Sequence, residues 1–480
     1  MTVTPLIPTS SIPLYEQVAQ RLQALIEEGT LNPGDRLPSV RQLHHQLSVS
    51  VSTVLEAYRL LEDRGLIVAR PQSGYYVRSA PQLALEPSQS KPPQESALVD
   101  LSLAQQVIST VRDRSLLQLG AAIPCVDHLP VAALNRIMGK VLRSEAGNAH
   151  TYDASPGCLP LRQEIAKRML GAGCSVTPEE VNITNGATEA VYLSLRAVTH
   201  PGQVVAVESP LYYGMLELLK SLDLRALELP SHPRDGISLT SLEEAFETQD
   251  IAACLLIPNF NNPTGSCMDD GKKKALVTLL NRYDVPLVED DIYGELQFEG
   301  PRPKAVKAFD TEGRVLYCTS VSKTLSPALR VGWSIAGRYQ TRVQQLKMVV
   351  SHMSAIAPQL TVATFFANGG CDRHLRRLRR LNQAQTTQML QAIQSSFPKD
   401  VRVTQPKGGH VLWLQMPQGF DSLALYREAL QHKISIAPGV MFSASGSYSD
   451  CFRLNTALPW TPEILQALEI LGQLAARQMK

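Results

Sequence analysis

Three short, wholly apolar runs constrain this chain more than any other feature. They are Val204-Val205-Ala206-Val207, Ala252-Ala253-Cys254-Leu255-Leu256-Ile257 and Val285-Pro286-Leu287-Val288. Each leads into polar or Gly/Pro-rich residues, and helical stretches lie between them. Unbroken apolarity over so few residues fits strands buried on both faces, the pattern of a parallel sheet covered by helices. Such sheets place ligand groups beyond the carboxyl ends of their strands. An α/β module beginning near residue 116 is therefore expected.

The chain has 480 residues, more than one domain of ordinary size holds at about 100–200 residues each. Hydrophobic residues make up 44% and charged residues 19%, which allows a large core and excludes global disorder. Lys and Arg number 46 against 44 Asp and Glu, a formal charge of +2. That balance argues against a nucleic-acid coat or a polybasic membrane protein but leaves room for a small DNA-reading module. No apolar run approaches the ~20 residues of a membrane span. Residues 1–12 lack the basic and apolar regions of a secretory signal. The eight cysteines are scattered without a CxxC pair, which points to a reducing cytosol rather than a disulfide framework or a zinc site. A cytoplasmic, multidomain protein without a metal centre is expected.

Residues 79–96, SAPQLALEPSQSKPPQES, are rich in Pro, Ser and Gln and follow neither the helical nor the strand period. They read as a flexible, partly extended linker. The division expected is a small module over 1–78, a linker over 79–115 and a large module over 116–480. In the small module Leu14, Val18, Leu22, Leu25 and Ile26 fall at helical spacing, predicting a helix over 13–28. Gly29 ends it, and Asn32-Pro33-Gly34-Asp35 is a turn. Ser39 suits the N-cap of a short helix that buries Val40, Leu43 and Leu47. After a break at 48–50 a third helix runs over 51–64, with Val54, Tyr58 and Leu61 on one face and Gly65 at its close. Leu66-Ile67-Val68-Ala69 and Tyr75-Tyr76-Val77, joined by a turn at 71–74, predict a β-hairpin. That order is a winged helix-turn-helix, whose third helix can enter a major groove while the wing follows the backbone. A helical protein-interaction module is the plainer alternative.

This module resembles the GntR family of bacterial regulators. The resemblance rests on Pro13-Leu14-Tyr15, Gly29-x-Leu31-x-Pro33-Gly34-Asp35-x-Leu37-Pro38-Ser39-x-Arg41, Val49-Ser50-x-Ser52-Thr53-Val54 and Gly74-Tyr75-Tyr76-Val77. It implies double-stranded operator DNA as a partner, with Ser39, Arg41, Ser50, Ser52 and Thr53 at the DNA face and Arg36 near phosphates. The chain departs from the family at Val51, where an arginine is usual, and at His44 and His45, where an Ala-rich helix is usual. Residues 1–78 carry seven Arg against seven acids, so one module alone gains little from counterion release. Two modules per complex are expected.

In the large module Lys323 stands in Thr319-Ser320-Val321-Ser322-Lys323-Thr324-Leu325-Ser326-Pro327-Ala328-Leu329-Arg330-Val331-Gly332. A lysine amine can form a Schiff base with an aldehyde, and the hydroxyls of Ser320 and Ser322 with the guanidinium of Arg330 suit a phosphate dianion. The module resembles the fold-type I aminotransferases, which use pyridoxal 5′-phosphate (PLP). By that resemblance Lys323 is the Schiff-base lysine. Asp290 in Val288-Glu289-Asp290-Asp291-Ile292-Tyr293 is the acid that pairs with the pyridine nitrogen, chosen over Asp291 by the family's acid-x-x-Tyr spacing. Tyr293 and Asn262, in Asn261-Asn262-Pro263-Thr264-Gly265, meet the ring hydroxyl oxygen. Ala187 and Thr188 offer backbone N–H groups to the phosphate at a helix N-terminus. Tyr212 stacks on the ring, with Tyr213 as the alternative. Tyr152 reaches a phosphate across a dimer interface, and Arg453 clamps a substrate α-carboxylate.

One basic run remains, Asp372-Arg373-His374-Leu375-Arg376-Arg377-Leu378-Arg379-Arg380. It reads as a helix with Leu375 and Leu378 buried and a solvated charged face, or alternatively a secondary DNA-contacting surface.

A GntR-type reader joined to an aminotransferase-like module resembles the MocR subfamily of transcriptional regulators. The fold implied is α/β: a winged helix-turn-helix, a fold-type I domain with a mostly parallel, seven-stranded-type sheet, and a smaller C-terminal α/β subdomain. The partners implied are operator DNA, PLP as an internal aldimine on Lys323, and an amino-compound effector. The assembly implied is a head-to-tail, domain-swapped homodimer. A working aminotransferase with an accessory DNA domain is the rival, because every residue that transamination needs is present.

Overall fold

The computed structural model describes residues 12–32, 34–70, 73–77, 85–93, 95–97, 113, 115–152 and 156–479, without the side chains of residues 27, 63 and 70. Pro33, Arg78, Ser155, and the linker stretches 79–84 and 98–112 lie outside them. The chain divides into two compact units: Met1–Ala84 with Gln383–Ser395, and Leu85–Asn382 with Ser396–Lys480.

The small unit contains α1 (Leu14–Glu27), α2 (Val40–Leu47), α3 (Val51–Asp63), β1 (Ile67–Arg70) and β2 (Gly74–Val77). Two serines fix where its second and third helices begin. The Ser39 hydroxyl accepts the Gln42 N–H at 3.2 Å, and the Ser50 hydroxyl accepts the Thr53 N–H at 3.0 Å. Each satisfies a backbone donor that the first turn of a helix leaves open. Between them Ser48 takes a left-handed conformation, φ 51°, which turns α2 into α3. One face of α3, Val54, Ala57, Tyr58 and Leu61, is fully buried against Val18, Leu22, Leu37, Leu43, Ile67 and Val77. The Tyr58 hydroxyl donates to the Pro38 carbonyl at 2.5 Å, joining α3 to the entry of α2. The hairpin is antiparallel, from Ile67 opposite Val77 to Arg70 opposite Gly74. Leu43 is the buried residue of α2, and the half-buried Val40 and Leu47 pack beside it against the same core.

The large unit is built on one sheet. After β3 (Leu117–Gln118), its strands are β4 (Asn182–Thr184), β5 (Val204–Ser209), β6 (Arg225–His232), β7 (Gly236–Ile237), β8 (Ile251–Leu256), β9 (Leu287–Asp290), β10 (Val315–Ser320) and β11 (Gly332–Ile335). They lie in the order β4-β11-β10-β9-β8-β5-β6-β7. From β10 through β6 neighbouring strands are parallel. Strand β11 runs antiparallel to both β10 and β4, and the two-residue edge strand β7 runs antiparallel to β6, which gives a main sheet of seven strands and a short eighth. Strand β9 starts two residues later than its apolar run predicts. Pro286 has no N–H to give the ladder, so pairing begins at Leu287 and carries on through Asp290. That shift puts an acid at the end of a central strand.

A second sheet, all antiparallel, pairs β12 (Arg402–Val403), β13 (Val411–Gln415), β16 (Cys451–Asn455) and β15 (Ala437–Pro438) in that order. Helices Ser422–Gln431 and Pro462–Gln478 accompany it. The short β14 (Ile434–Ser435) pairs in parallel with β3. In the helix Gly370–Ser396 the expected Leu375 and Leu378 are buried, each 2% exposed. Among the described residues no helix is long and apolar enough to cross a membrane.

The expectation of a flexible linker needs correcting over its described residues 85–93 and 95–97. Described residues between 85 and 97 are bound to the large unit rather than free. The Leu85 carbonyl accepts from Val403 N–H at 2.8 Å, and Ser90 exchanges bonds with Ser231 at 3.1 and 2.6 Å. Ala97 and Ala226 exchange backbone bonds at 2.9 and 3.0 Å, and Arg225 holds Ser96. The prolines keep this stretch extended, and an extended chain can add to the exposed backbone of β6.

Candidate functional site

The strand-to-helix turn after β4 forms one end of the site. The Thr184 hydroxyl donates to the Gly186 carbonyl at 2.9 Å. Gly186, at φ 88° and ψ 174°, precedes the helix Ala187–Val198 in a conformation essentially restricted to glycine. Glu189, in the first turn of that helix, accepts the Asn185 N–H at 2.5 Å and pairs with Lys347 at 3.1 Å. Burial alone would raise its carboxyl, but hydrogen bonds from Ser351 and Asn185 and the Lys347 charge hold it below the usual range. The N–H groups of Ala187 and Thr188 thus stand on a braced helix N-terminus, which favours an anion. Arg330 donates to the Asn185 carbonyl at 2.8 Å, and a Cβ on Gly186 would fall on its guanidinium.

A cavity of about 280 Å³ opens from this turn. Its walls include Ala187, Thr188, Tyr212, Asn262, Asp290, Tyr293, Ser320, Ser322, Lys323 and Arg330, so ten residues singled out in the sequence meet in one place. Tyr213 lines it too, with its ring centroid 4.6 Å from that of Tyr212. Lys323 donates to the Ala122 carbonyl at 2.6 Å. Burial, with the nearby Arg453 charge, lowers its pKa to about 8, against the pull of Asp290. Asp290 accepts the Ile292 N–H at 3.1 Å, and burial pushes its carboxyl up to about 7. Its neighbour Asp291 is spent on Arg302 at 2.6 Å and the Tyr317 hydroxyl at 2.9 Å. Only Asp290 of the two faces the cavity.

Asn262 links the remaining groups. Its amide nitrogen lies 3.5 Å from the Tyr293 hydroxyl, and its carbonyl accepts from Arg453 Nη1 at 2.7 Å. Arg453 is fully buried on β16, with Nη2 donating to the Gly120 carbonyl and the guanidinium 4.9 Å from the Phe442 ring centroid. Its Nε has no partner among the described residues. Tyr152 is not brought in: it is 80% exposed, edge-on to His352 at 5.5 Å.

Two contributions escaped the sequence reading. The backbone of residues 119–123 supplies carbonyls to Arg453, Lys323 and, from Ile123 at 3.0 Å, to the Asn455 side chain. His410 is buried beside Tyr293, with ring centroids 5.3 Å apart, and is held by Asn455 Oδ1 at 3.1 Å. Backbone carbonyls leave no mark in side-chain patterns. The Gly408-Gly409-His410 turn was the one visible pointer to the histidine.

In the small unit Arg36, Ser39, Arg41, Ser50 and Ser52 are exposed and Thr53 is half-buried. The Ser50 hydroxyl also meets those of Ser52 at 2.8 Å and Thr53 at 2.7 Å. Val51, 43% exposed, opens α3 between them.

Comparison with known proteins agrees with both parts. Residues 114–471 match the family described as aminotransferase class I and II, and residues 14–77 match the bacterial regulatory proteins of the gntR family. The chain belongs to the MocR regulators. Two similar proteins of Escherichia coli strain K12 are named as uncharacterized HTH-type transcriptional regulators. YjiR is 37% identical over 97% of this chain and 99% of its own length, and YdcR is 39% identical over the same shares. Among solved structures, the α-aminoadipate aminotransferase LysN of Thermus thermophilus, complexed with N-(5′-phosphopyridoxyl)-L-leucine, superposes with a TM-score of 0.74. It is 28% identical and covers 80% of this chain and 96% of its own. PLP is the cofactor of this MocR chain. The residues present fit it: an amine with lowered pKa, a buried carboxylate open to the cavity, and a cationic anion cradle at one end.

Proposed function

We propose that this MocR protein is a transcriptional regulator that reads operator DNA through a module over residues 1–78 and senses an amino compound at the PLP site of residues 116–480. The observation that carries the reading is that the Lys323, Asp290 and Arg453 constellation is intact in a chain that also presents Arg41 and Ser52 on an exposed helix-turn-helix. PLP, when bound, supplies an aldehyde carbon and an electron-accepting ring. Lys323 is the amine that would hold that carbon. Asp290 would keep the pyridine nitrogen protonated, and Tyr293 and Asn262 would orient the ring oxygen. Tyr212 would cover the ring. Ser320, Ser322, Arg330 and the N–H groups of Ala187 and Thr188 would hold the phosphate. Arg453 would clamp a ligand carboxylate, displacing its present partners Asn262 and Gly120.

Exposed Tyr152 would serve the phosphate of a second copy, in a head-to-tail homodimer that presents two readers to two half-sites. Arg36, Ser39, Arg41, Ser50, Ser52 and Thr53 would meet the DNA. A ligand with different affinity for two arrangements of the protein would then alter DNA binding. We place the protein in the cytoplasm, in keeping with its scattered thiols and its regulator relatives.

The test combines absorption and DNA binding. Purified protein should show the visible band of lysine-bound PLP and lose it in Lys323→Ala. Arg453→Ala should keep the band while its DNA affinity no longer responds to α-amino acids. A colourless protein that PLP does not reconstitute would sink the cofactor assignment, and fast transamination without operator affinity would favour the enzyme.

A further inference from the structure

The helix Gly370–Ser396 carries five arginines within residues 373–380, and the structure sorts them into two groups. Arg379 is turned inward, donating to the Glu295 carbonyl at 2.7 Å and to its carboxylate at 3.0 Å. Arg373, Arg376, Arg377 and Arg380 are exposed. Their spacing of three, four and seven residues places them on one stripe, about 10 Å long at 1.5 Å per residue. Arg377 reaches the Asp127 carbonyl at 3.2 Å, but none of the four forms an ion pair among the described residues. The nearest acid on the helix, Asp372, is taken by Arg168 at 3.1 Å. Like charges so spaced repel one another and work against the helix. A chain that keeps them exposed and uncompensated presents a surface shaped for an extended anion.

The small unit has no net positive charge of its own. Residues 1–78 hold seven Arg and seven acids, so its contacts with DNA release few net counterions. We propose that the arginine stripe 373–380 is a second, sequence-independent contact with the phosphates of duplex DNA. It supplies the electrostatic attraction that the neutral reader lacks. Guanidinium groups pair with phosphate oxygens bidentately, and a duplex offers one phosphate per about 1.7 Å of axis, so a stripe of this length meets several. The inference rests on the regulator reading above, in which the small unit binds DNA.

The experiment measures affinity of the full-length, PLP-loaded protein for operator and scrambled DNA across a salt series. The variant is R373Q/R376Q/R380Q, which spares Arg377 because of its bond to Asp127. At about 0.9 per phosphate contact, the slope of log affinity against log salt should become shallower by about 2–3 for each stripe that meets the DNA. The preference for operator over scrambled DNA should stay as in the wild type, and an unchanged PLP band shows that the large unit is folded. Arg41→Ala, measured alongside, separates the two readings. An unchanged slope in the stripe variant, with Arg41→Ala weakening operator binding, overturns the stripe and leaves the reader standing. Loss of operator preference at constant slope overturns it as well. A shallower slope with Arg41→Ala silent supports the stripe and faults the reader's docking.

Discussion

Replacing Gly186 by alanine should both strain the fold and weaken PLP binding, by similar amounts. Gly186 holds φ 88° and ψ 174°, where a side chain costs about 1–3 kcal/mol of backbone strain. The added Cβ would also land on the guanidinium of Arg330. Arg330 is exposed and long, so it swings aside at little cost to stability, but it then leaves the cradle. Losing one charged hydrogen bond to an anion costs about 1.5–3 kcal/mol, or roughly 10- to 100-fold in dissociation constant. Titration of apo protein with PLP, followed by visible absorption, reads this directly, and a thermal melt reads the strain as a few degrees. Gly171→Ala is the control, because its added Cβ meets nothing within 4 Å. A Gly186→Ala protein that binds PLP within about threefold of wild type would refute the phosphate cradle. Equal weakening in both variants would point to general destabilisation instead.

The lowered pKa of Lys323, about 8, leaves roughly a tenth of the amine neutral at pH 7, against about 0.03% for an ordinary lysine. The rate of PLP attachment should therefore climb from pH 6 to 8 and level off above about 9. A rate still rising tenfold per unit beyond pH 9 would show an unperturbed amine. Arg41→Ala should weaken operator binding while leaving the PLP band intact, and gel-shift and absorption measurements on the same sample check both. Val51→Arg should tighten DNA binding and steepen the salt slope by about 1 per bound reader, since it adds a cation at the exposed start of α3. Tyr58→Phe strips the partner from the Pro38 carbonyl and should cost the small unit about 1–3 kcal/mol, seen as a lower melting transition with unchanged PLP affinity.

Much of this architecture was legible because its causes are local. Ser39 announces a helix start by its chemistry, and Val54, Tyr58 and Leu61 announce a buried face by their spacing. The cavity was legible for a different reason. Lys323, Asp290, Asn262 and Arg330 each follow a strand or a turn of recognisable pattern, and a sheet order of this kind gathers strand ends. The linker misled because Pro, Ser and Gln mark an extended chain without saying what it lies against. Its anchors at Ala226, Ser231 and Val403 are distant backbone groups with no sequence signature. The start of β9 was missed by two residues because the apolar run counts Pro286, which has no N–H to donate to the ladder.

The segment from Leu119 to Ile123 carries one more consequence. Its carbonyls hold Arg453 and Lys323, the two cations on which ligand recognition turns, and Asn455 grips it at both ends through Leu119 and Ile123. Gly120 has no room for a side chain against the Ile436 carbonyl. The groups that matter here belong to the main chain, so substituting Ala121, Ala122 or Ile123 leaves them in place. Alanine scanning would pass over this segment almost silently, and natural drift could reshape the ligand-facing wall without loosening either cation. Specificity can therefore diverge among such proteins while the anchoring of lysine and arginine is inherited unchanged.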